Sequence, residues 1–274
     1  MRRLRAFAAL TWMLSAVAGA ASAPHYPPAV QKLVDEHGIE IVSQFEAPGG
    51  LTGYAARIDG REVILYGVPG GDYVIAGNMF DANGKSLTKG QIEHYLTGPL
   101  LKDAWGRLEK ATWVAEGSSD PKTIIYEFTD PNCPFCYLFW LANTPYRAHG
   151  LQVRHILVGV ITPNSTNKAA AILESADPSA AMTANERDYD SSRGENNAGG
   201  IAPAKHPRPE TLKKIEANND LMRSLGVEGT PGIFYKSADG KVHRVGGMPT
   251  LSELPKMYGL PPEPVTDPRL KRFE

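Results

Sequence analysis

The chain has 274 residues, 42% hydrophobic and 22% charged, with 29 Lys and Arg against 30 Asp and Glu for a formal charge of −1. The composition is that of an ordinary globular protein. Its near-balanced charge argues against nucleic acid or an anionic membrane surface as the partner.

Met1-Arg2-Arg3-Leu4-Arg5 precedes an apolar run from Ala6 to Ala20 that is short for a bilayer span and ends in small residues. This is the pattern of a secretory signal peptide over residues 1–20, with cleavage after Ala20 or as late as Ala23. No later stretch is long and apolar enough for a transmembrane helix. Export of a chain with two cysteines points to an oxidising compartment, a bacterial periplasm first. Loss of three arginines with the leader leaves 26 basic against 30 acidic residues. The roughly 250 remaining residues suffice for two domains.

Residues 29–37 place Val30, Leu33 and Val34 on one helical face, and Gly38 is a natural stop. Strand-like runs follow at 39–45, 51–58, 61–66 and 73–80, separated by Pro48-Gly49-Gly50, Asp59-Gly60 and Pro69-Gly70-Gly71. The reading is a helix on an antiparallel meander of about four strands, residues 24–90. Such a sheet has a small core and open edges, so self-association is expected, with an edge covered by the chain's own helix as the alternative. Residues 91–116 read as a linker helix in which Trp105 and Trp113 are packing residues.

Thr123-Ile124-Ile125-Tyr126-Glu127-Phe128 is a strand-like run rich in β-branched and aromatic residues. After Thr129-Asp130-Pro131-Asn132, Cys133-Pro134-Phe135-Cys136 opens an apolar helical run expected to end near Asn143-Thr144-Pro145. Residues 151–160 form the next buried strand, parallel to the first through a right-handed crossover. Helices are expected at 167–175 and 209–225 around a polar, Gly-rich loop at 190–207. A hairpin at 233–236 and 242–245 and a helix at 251–258 close the second domain, 117–260, with a helical insertion at 162–228. The Pro-rich tail, 261–274, is expected to be disordered.

The two cysteines, placed between a strand and a helix, read as a redox motif. A thiolate at a helix N-terminus meets unpaired N–H groups and the positive end of the helix dipole, so Cys133 is the expected nucleophile. Cys136, one turn further in and less exposed, is placed to resolve a mixed disulfide. An attached c-type haem would need His after the second cysteine, where Tyr137 stands. Zinc would need about four ligands, and only scattered histidines such as His155 and His206 could complete a site. An inert structural disulfide is the stronger competing reading, although closing so short a loop removes little chain entropy. No metal or cofactor is expected.

Glu127, buried mid-strand, would have a raised pKa and could relay a proton to Cys136; strand alternation could instead turn it to solvent or into an ion pair. Asp130 is expected to cap the loop, and His155 to be a satisfied core histidine.

Together with Gly229-Thr230-Pro231-Gly232-Ile233-Phe234-Tyr235, a Thr-Pro before an apolar strand, these features make the second domain resemble a thioredoxin fold. Phe45-Glu46-Ala47-Pro48-Gly49-Gly50, the Asp130–Cys136 segment and Leu157-Val158-Gly159-Val160-Ile161 extend the resemblance over nearly all of the mature chain to the DsbC/DsbG family of thiol:disulfide interchange proteins, more closely its DsbG branch. The resemblance implies a V-shaped periplasmic homodimer with a cystatin-like α+β dimerisation domain, a linker helix and an α/β thioredoxin domain carrying a helical insertion. It implies isomerase or reductase action on cysteine-containing periplasmic clients, protection of single cysteines from over-oxidation, and re-reduction by a DsbD-like membrane protein. It also implies a redox-active Cys133–Cys136 disulfide with Pro134, Phe135, Thr230 and a cis Pro231 around it. Phe135 replaces a Tyr usual in that branch, and Glu127 an apolar residue, so the resemblance does not support the relay. A holdase chaperone with a secondary redox pair, or a DsbA-like oxidase, are the alternatives. The dipeptide Pro134-Phe135 lacks the His of strongly oxidising DsbA-like sites.

Overall fold

The computed structural model describes residues 25–264 and 266–274; the expected signal peptide lies outside them. No helix among the described residues is long and apolar enough to cross a membrane.

The N-terminal unit is built as its pattern demands. Helix α1 (Pro28–His37) ends at Gly38, whose φ of 61° lets its N–H reach the Val34 carbonyl. Strands β1 (Glu40–Ala47), β2 (Leu51–Ile58), β3 (Arg61–Gly67) and β4 (Val74–Ala76) form an antiparallel sheet in chain order. The Asp59-Gly60 turn between β2 and β3 has both residues at positive φ, 49° and 82°, matching the right-handed twist of the strands it joins. Val30 packs with Ile39, Tyr54, Ala56 and Leu65 on one face; Ala55, Ile64 and Tyr66 meet Leu96 on the other. β4 is shorter than the pattern at 73–80 suggests, because Phe80 turns away to bridge Ser86.

Residues 91–116 are not one helix. Ser86 caps α2 (Leu87–Ile92), which runs through a π turn (Glu93–Thr97) into α3 (Gly98–Leu101); α4 (Ala104–Glu109) follows after a break. Pro99 offers no N–H to the preceding turn, and the hydrogen-bond register slips there. The last residues assigned to the linker instead form β5 (Val114–Gly117), which joins the second sheet because β7 offers it a free edge.

That second sheet has the order β5-β7-β6-β8-β9. β6 (Thr123–Thr129) and β7 (Leu151–Leu157) are parallel, joined by α5 (Pro134–Arg147); β8 (Gly232–Lys236) and β9 (Val242–Gly246) add antiparallel at the far side. α6 (Ser165–Leu173), α7 (Pro178–Arg187) and α8 (Pro209–Ser224) form the insertion, and α9 (Leu254–Tyr258) closes the domain. One face of the sheet packs Ile125, Val153 and Ile233 against α5 and α9. The other packs Tyr126, Phe128, Ile156 and Phe234 against α4 and α8. This is an α+β unit followed by a thioredoxin fold with a helical insertion.

Three expectations need correction. α5 continues past Pro145 to Arg147, because Tyr146 is buried against Tyr258 and Arg147 is anchored on Glu116. α7 lies where no helix was expected, started by Asp177 accepting from the Ala180 N–H and by Pro178 at its first position. The C-terminal tail is ordered: Leu270 is buried in the α5 and α9 cluster, Pro268–Phe273 forms a 3₁₀ helix, and the Leu251 N–H donates to the Phe273 carbonyl at 2.7 Å.

Candidate active site

The site is assembled where β6 stops. Asp130, fully buried, accepts at Oδ1 from the Asn132 N–H (3.0 Å) and the Ser165 hydroxyl (2.7 Å), and at Oδ2 from the N–H groups of Val160 (2.8 Å) and Ile161 (3.0 Å). It therefore ties the cysteine loop to the loop after β7, as the capping expectation required. Asn132 adds amide bonds to Thr162 and Asn164. The chain leaves this anchor at Cys133, whose N–H donates to the Asp130 carbonyl at 2.9 Å.

Cys133 is the N-cap of α5 and Pro134 its first residue. The Cys133 Sγ accepts from the Cys136 N–H at 3.3 Å, and its thiol can donate to the Thr230 carbonyl at 3.3 Å. Thr230-Pro231 is a cis peptide, positioned beside the cysteines by β8. The Cys133 pKa is lowered chiefly by the Cys136 thiol; burial opposes this, while Thr230 and the N–H groups of Cys136 and Phe135 add to the lowering. Burial pushes Cys136 well up, and the neighbouring Cys133 pushes it further. The two thiols are thus shifted in opposite directions, Cys133 toward its thiolate and Cys136 away from it. Both are free and both are buried, Cys133 at 2% exposure and Cys136 at 1%. Cys136 is the less exposed of the two, as expected, but by little; Pro134 and Phe135, the latter at 44%, are the exposed members of the motif.

Beneath the pair, Glu127 is buried within β6. The parallel register sets it directly beside His155 of β7, whose Nδ1 lies 2.8 Å from Glu127 Oε2. His155 Nε2 in turn lies 2.9 Å from Glu116 Oε2 in an off-axis contact. Glu116 also receives Arg147 Nη1 (3.0 Å), Trp140 Nε1 (2.9 Å) and the Thr183 hydroxyl. Burial raises the Glu127 pKa, with His155 pulling it back. For His155 burial works downward, but the two carboxylates override it and hold the ring up at about 9. Burial would raise Glu116, yet His155 and Arg147 bring it down to about 2. His155 is thus a core histidine hydrogen-bonded at Nδ1 to Glu127, whereas its Nε2 meets Glu116 only as a charge contact and lacks the hydrogen bond expected of a satisfied ring.

Glu116 and Arg147 escaped the sequence reading. A charged residue in the short Val-Ala-Glu-Gly run was the available signal, and only the edge pairing of β5 makes it meaningful. Glu186 is a further buried carboxyl, pushed well up by burial and held by the Asn185 amide. Among the described residues no group of three or more His, Cys, Asp or Glu is arranged to hold a metal ion, and His206 is exposed, far in sequence from any partner.

A C-x-x-C pair at the N-terminus of the crossover helix, facing a cis-proline loop on this sheet, defines a thiol:disulfide oxidoreductase of thioredoxin-like fold. Residues 108–259 match the thioredoxin-like domain family. The chain is 37% identical over 243 residues to the thiol:disulfide interchange protein DsbG of Pseudomonas aeruginosa, covering 88% of this chain and 92% of that one. It is 35% identical over 233 residues to DsbG of Escherichia coli, covering 85% and 91%. Among solved structures, Helicobacter pylori DsbG covers 75% of this chain and 98% of its own at 16% identity, with a TM-score of 0.40. The chain belongs to the DsbG family of thiol:disulfide interchange proteins.

Proposed function

We propose that this oxidoreductase acts in the periplasm as a disulfide isomerase and reductase, with Cys133 as the attacking and Cys136 as the resolving thiol. The observation that carries the assignment is the opposed environment of the two sulfurs: Cys133 caps α5 and accepts the Cys136 N–H, while Cys136 is sealed below it. On a client disulfide, the Cys133 thiolate forms a mixed disulfide and expels a client thiolate, which can attack elsewhere in the client and return Cys133 unchanged. On a client sulfenic acid, the same thiolate takes the sulfur and hydroxide leaves, protonated to water. Cys136 then attacks Cys133, the client departs as a thiol, and the pair carries two electrons fewer as the Cys133–Cys136 disulfide. A DsbD-like donor of two electrons must restore the dithiol.

Thr230 and Pro231 line the approach to Cys133, and the exposed Phe135 with Pro134 offers an apolar rim. Glu127 is the acceptor for the proton Cys136 gives up; its burial under the helix and its electrostatic influence on Cys136 support the role. Self-association through the N-terminal sheet is the expected quaternary state.

A chaperone reading has one observation in its favour. A cleft of about 1180 Å³ runs from Ile58 and Val63 past the half-exposed Val160 and Ile161 to Thr230. Client holding there should survive loss of both cysteines, whereas exchange should not. The deciding experiment is a Cys136→Ala variant expressed in the periplasm of its own host, with clients trapped on Cys133 identified by mass spectrometry. Multi-cysteine clients mean isomerase work and single-cysteine clients mean sulfenic-acid reduction. An empty trap overturns the exchange reading.

A further inference from the structure

The buried group beneath the cysteines contains more than the exchange chemistry needs. A proton acceptor for Cys136 requires one carboxylate; the molecule adds a histidine and a second carboxylate on the two neighbouring strands. None of the three is at the surface: Glu116 is 6% exposed, and Glu127 and His155 are 1%. Burying three ionisable groups is costly unless they are paired, and the pairing is asymmetric. Glu116 is saturated, taking Arg147 and Trp140 at Oε2 and Thr183 at Oε1. Glu127 is engaged at Oε2 alone; its Oε1 is buried without any hydrogen-bond partner. An unpartnered carboxylate oxygen in a dry site is expensive to keep, and here it belongs to the one carboxyl that acts on the Cys136 thiol.

We infer that His155, clamped between Glu116 and Glu127, is a positioning residue for the resolving step: as an imidazolium it ties down Glu127 Oε2 and keeps that carboxyl ionised, leaving Oε1 free to take the Cys136 proton. The inference rests on the exchange reading given above. In the step itself the Cys136 S–H bond breaks and its proton passes to Glu127 Oε1. The Cys136 electron pair forms the new bond to Cys133 Sγ, and the bond from Cys133 to the client sulfur breaks with its pair on the client. The histidine keeps its protons throughout, and its charge is what the rest of the fold is arranged to preserve.

The groups facing it support that assignment. From β5 and β6 come the carboxyls of Glu116 and Glu127; from α5 comes Arg147, bound to Glu116; from α7 and α9 come Glu186 and Tyr258, whose pKa values burial pushes well up. The two carboxylates carry two negative charges against the single cation of Arg147, and His155 is the second cation within reach. Burial pushes the Glu127 pKa up and the imidazolium 2.8 Å away pulls it back, so loss of the His155 charge leaves that rise largely unopposed.

The test is a single-turnover measurement of mixed-disulfide resolution against pH, using a model thiol loaded on Cys133, in the wild type, His155→Gln, Glu127→Gln and the double variant. His155→Gln keeps a hydrogen-bond donor but removes the charge, and should move the midpoint of the resolution profile upward by about one unit or more, the usual effect of losing an opposite charge at this distance. In the Glu127→Gln background the same change should move nothing. Attack by Cys133 on the model disulfide should keep its rate in His155→Gln, which separates this inference from the exchange reading: absence of attack in the wild type overturns that reading, and an unmoved resolution midpoint, or attack slowed as much as resolution, overturns this one. Should His155→Gln fail to fold, the ring nitrogens of wild-type His155, followed by ¹⁵N NMR in the reduced protein, give the answer directly. A ring that is neutral at pH 7 refutes the proposal.

Discussion

Asp130 offers the sharpest test of how the site is held. Replacement by Asn keeps the shape and can keep the Oδ1 acceptor, so the bonds from Asn132 and Ser165 survive. At Oδ2, however, an amide NH₂ would face the N–H groups of Val160 and Ile161, which now donate at 2.8 and 3.0 Å. Two part-buried donors lose their acceptor, at about 1–3 kcal/mol each. Asp130→Asn should therefore cost about 3 kcal/mol, lowering Tm by about 6–12 °C for a domain of this size. Thermal unfolding of the reduced protein, followed by circular dichroism, reads the shift. A fall below about 3 °C would mean that the two loops are not tied through this carboxylate. Alkylation of Cys133 in the folded variant should also lose its single rate constant as the loop after β6 loosens.

The pH dependence of stability should carry the mark of His155. Its folded pKa, about 9, lies above its ordinary 6.5, so its contribution is complete below pH 6.5 and fades as pH rises through 9. Glu116, folded at about 2 against an ordinary 4.5, contributes above pH 4.5 and loses its share as pH falls through 2. The two shifts share the His155–Glu116 contact, so they are not added; each amounts to about 3 kcal/mol and includes Glu127 on the one side and Arg147 on the other. Urea unfolding should show a plateau between about pH 5 and 6.5 with an alkaline limb that His155→Gln abolishes; an unchanged limb would refute the assignment. Separately, β4 is an edge strand that exposes Tyr73 and Ile75. If copies associate through this edge, Ile75→Lys should halve the mass measured by light scattering without lowering Tm, and an unchanged mass would exclude the edge.

Much of this was legible in the chain because it is written in local chemistry. The alternation of β6, the helix opened by Cys133 and Pro134, and the Thr-Pro step before β8 each mark their own position. What stayed hidden depends on partners remote in sequence. Glu127 and His155 could be singled out one at a time, but that they touch follows from the register of a parallel pair joined through α5, which no local pattern encodes. Glu116 becomes part of the site only once β5 has found its edge. α7 begins at a legible start, Asp177-Pro178, but its short run of Ala, Ser, Thr and Asn lacks an apolar stripe that would mark it as a helix. The tail was misjudged for its prolines, when Leu270 and Phe273 were the residues that decide its fate.

That tail ends beside the redox motif. Arg269 caps the Tyr137 ring and bonds its hydroxyl, and Arg272 lies 5.7 Å over the ring of Phe135. The final residue of the chain, Glu274, is thus only two positions from a guanidinium that covers the exposed residue between the cysteines. For anyone handling the protein this has a practical side: an affinity tag or fusion joined after Glu274 would begin at the mouth of the site, where it would crowd incoming clients.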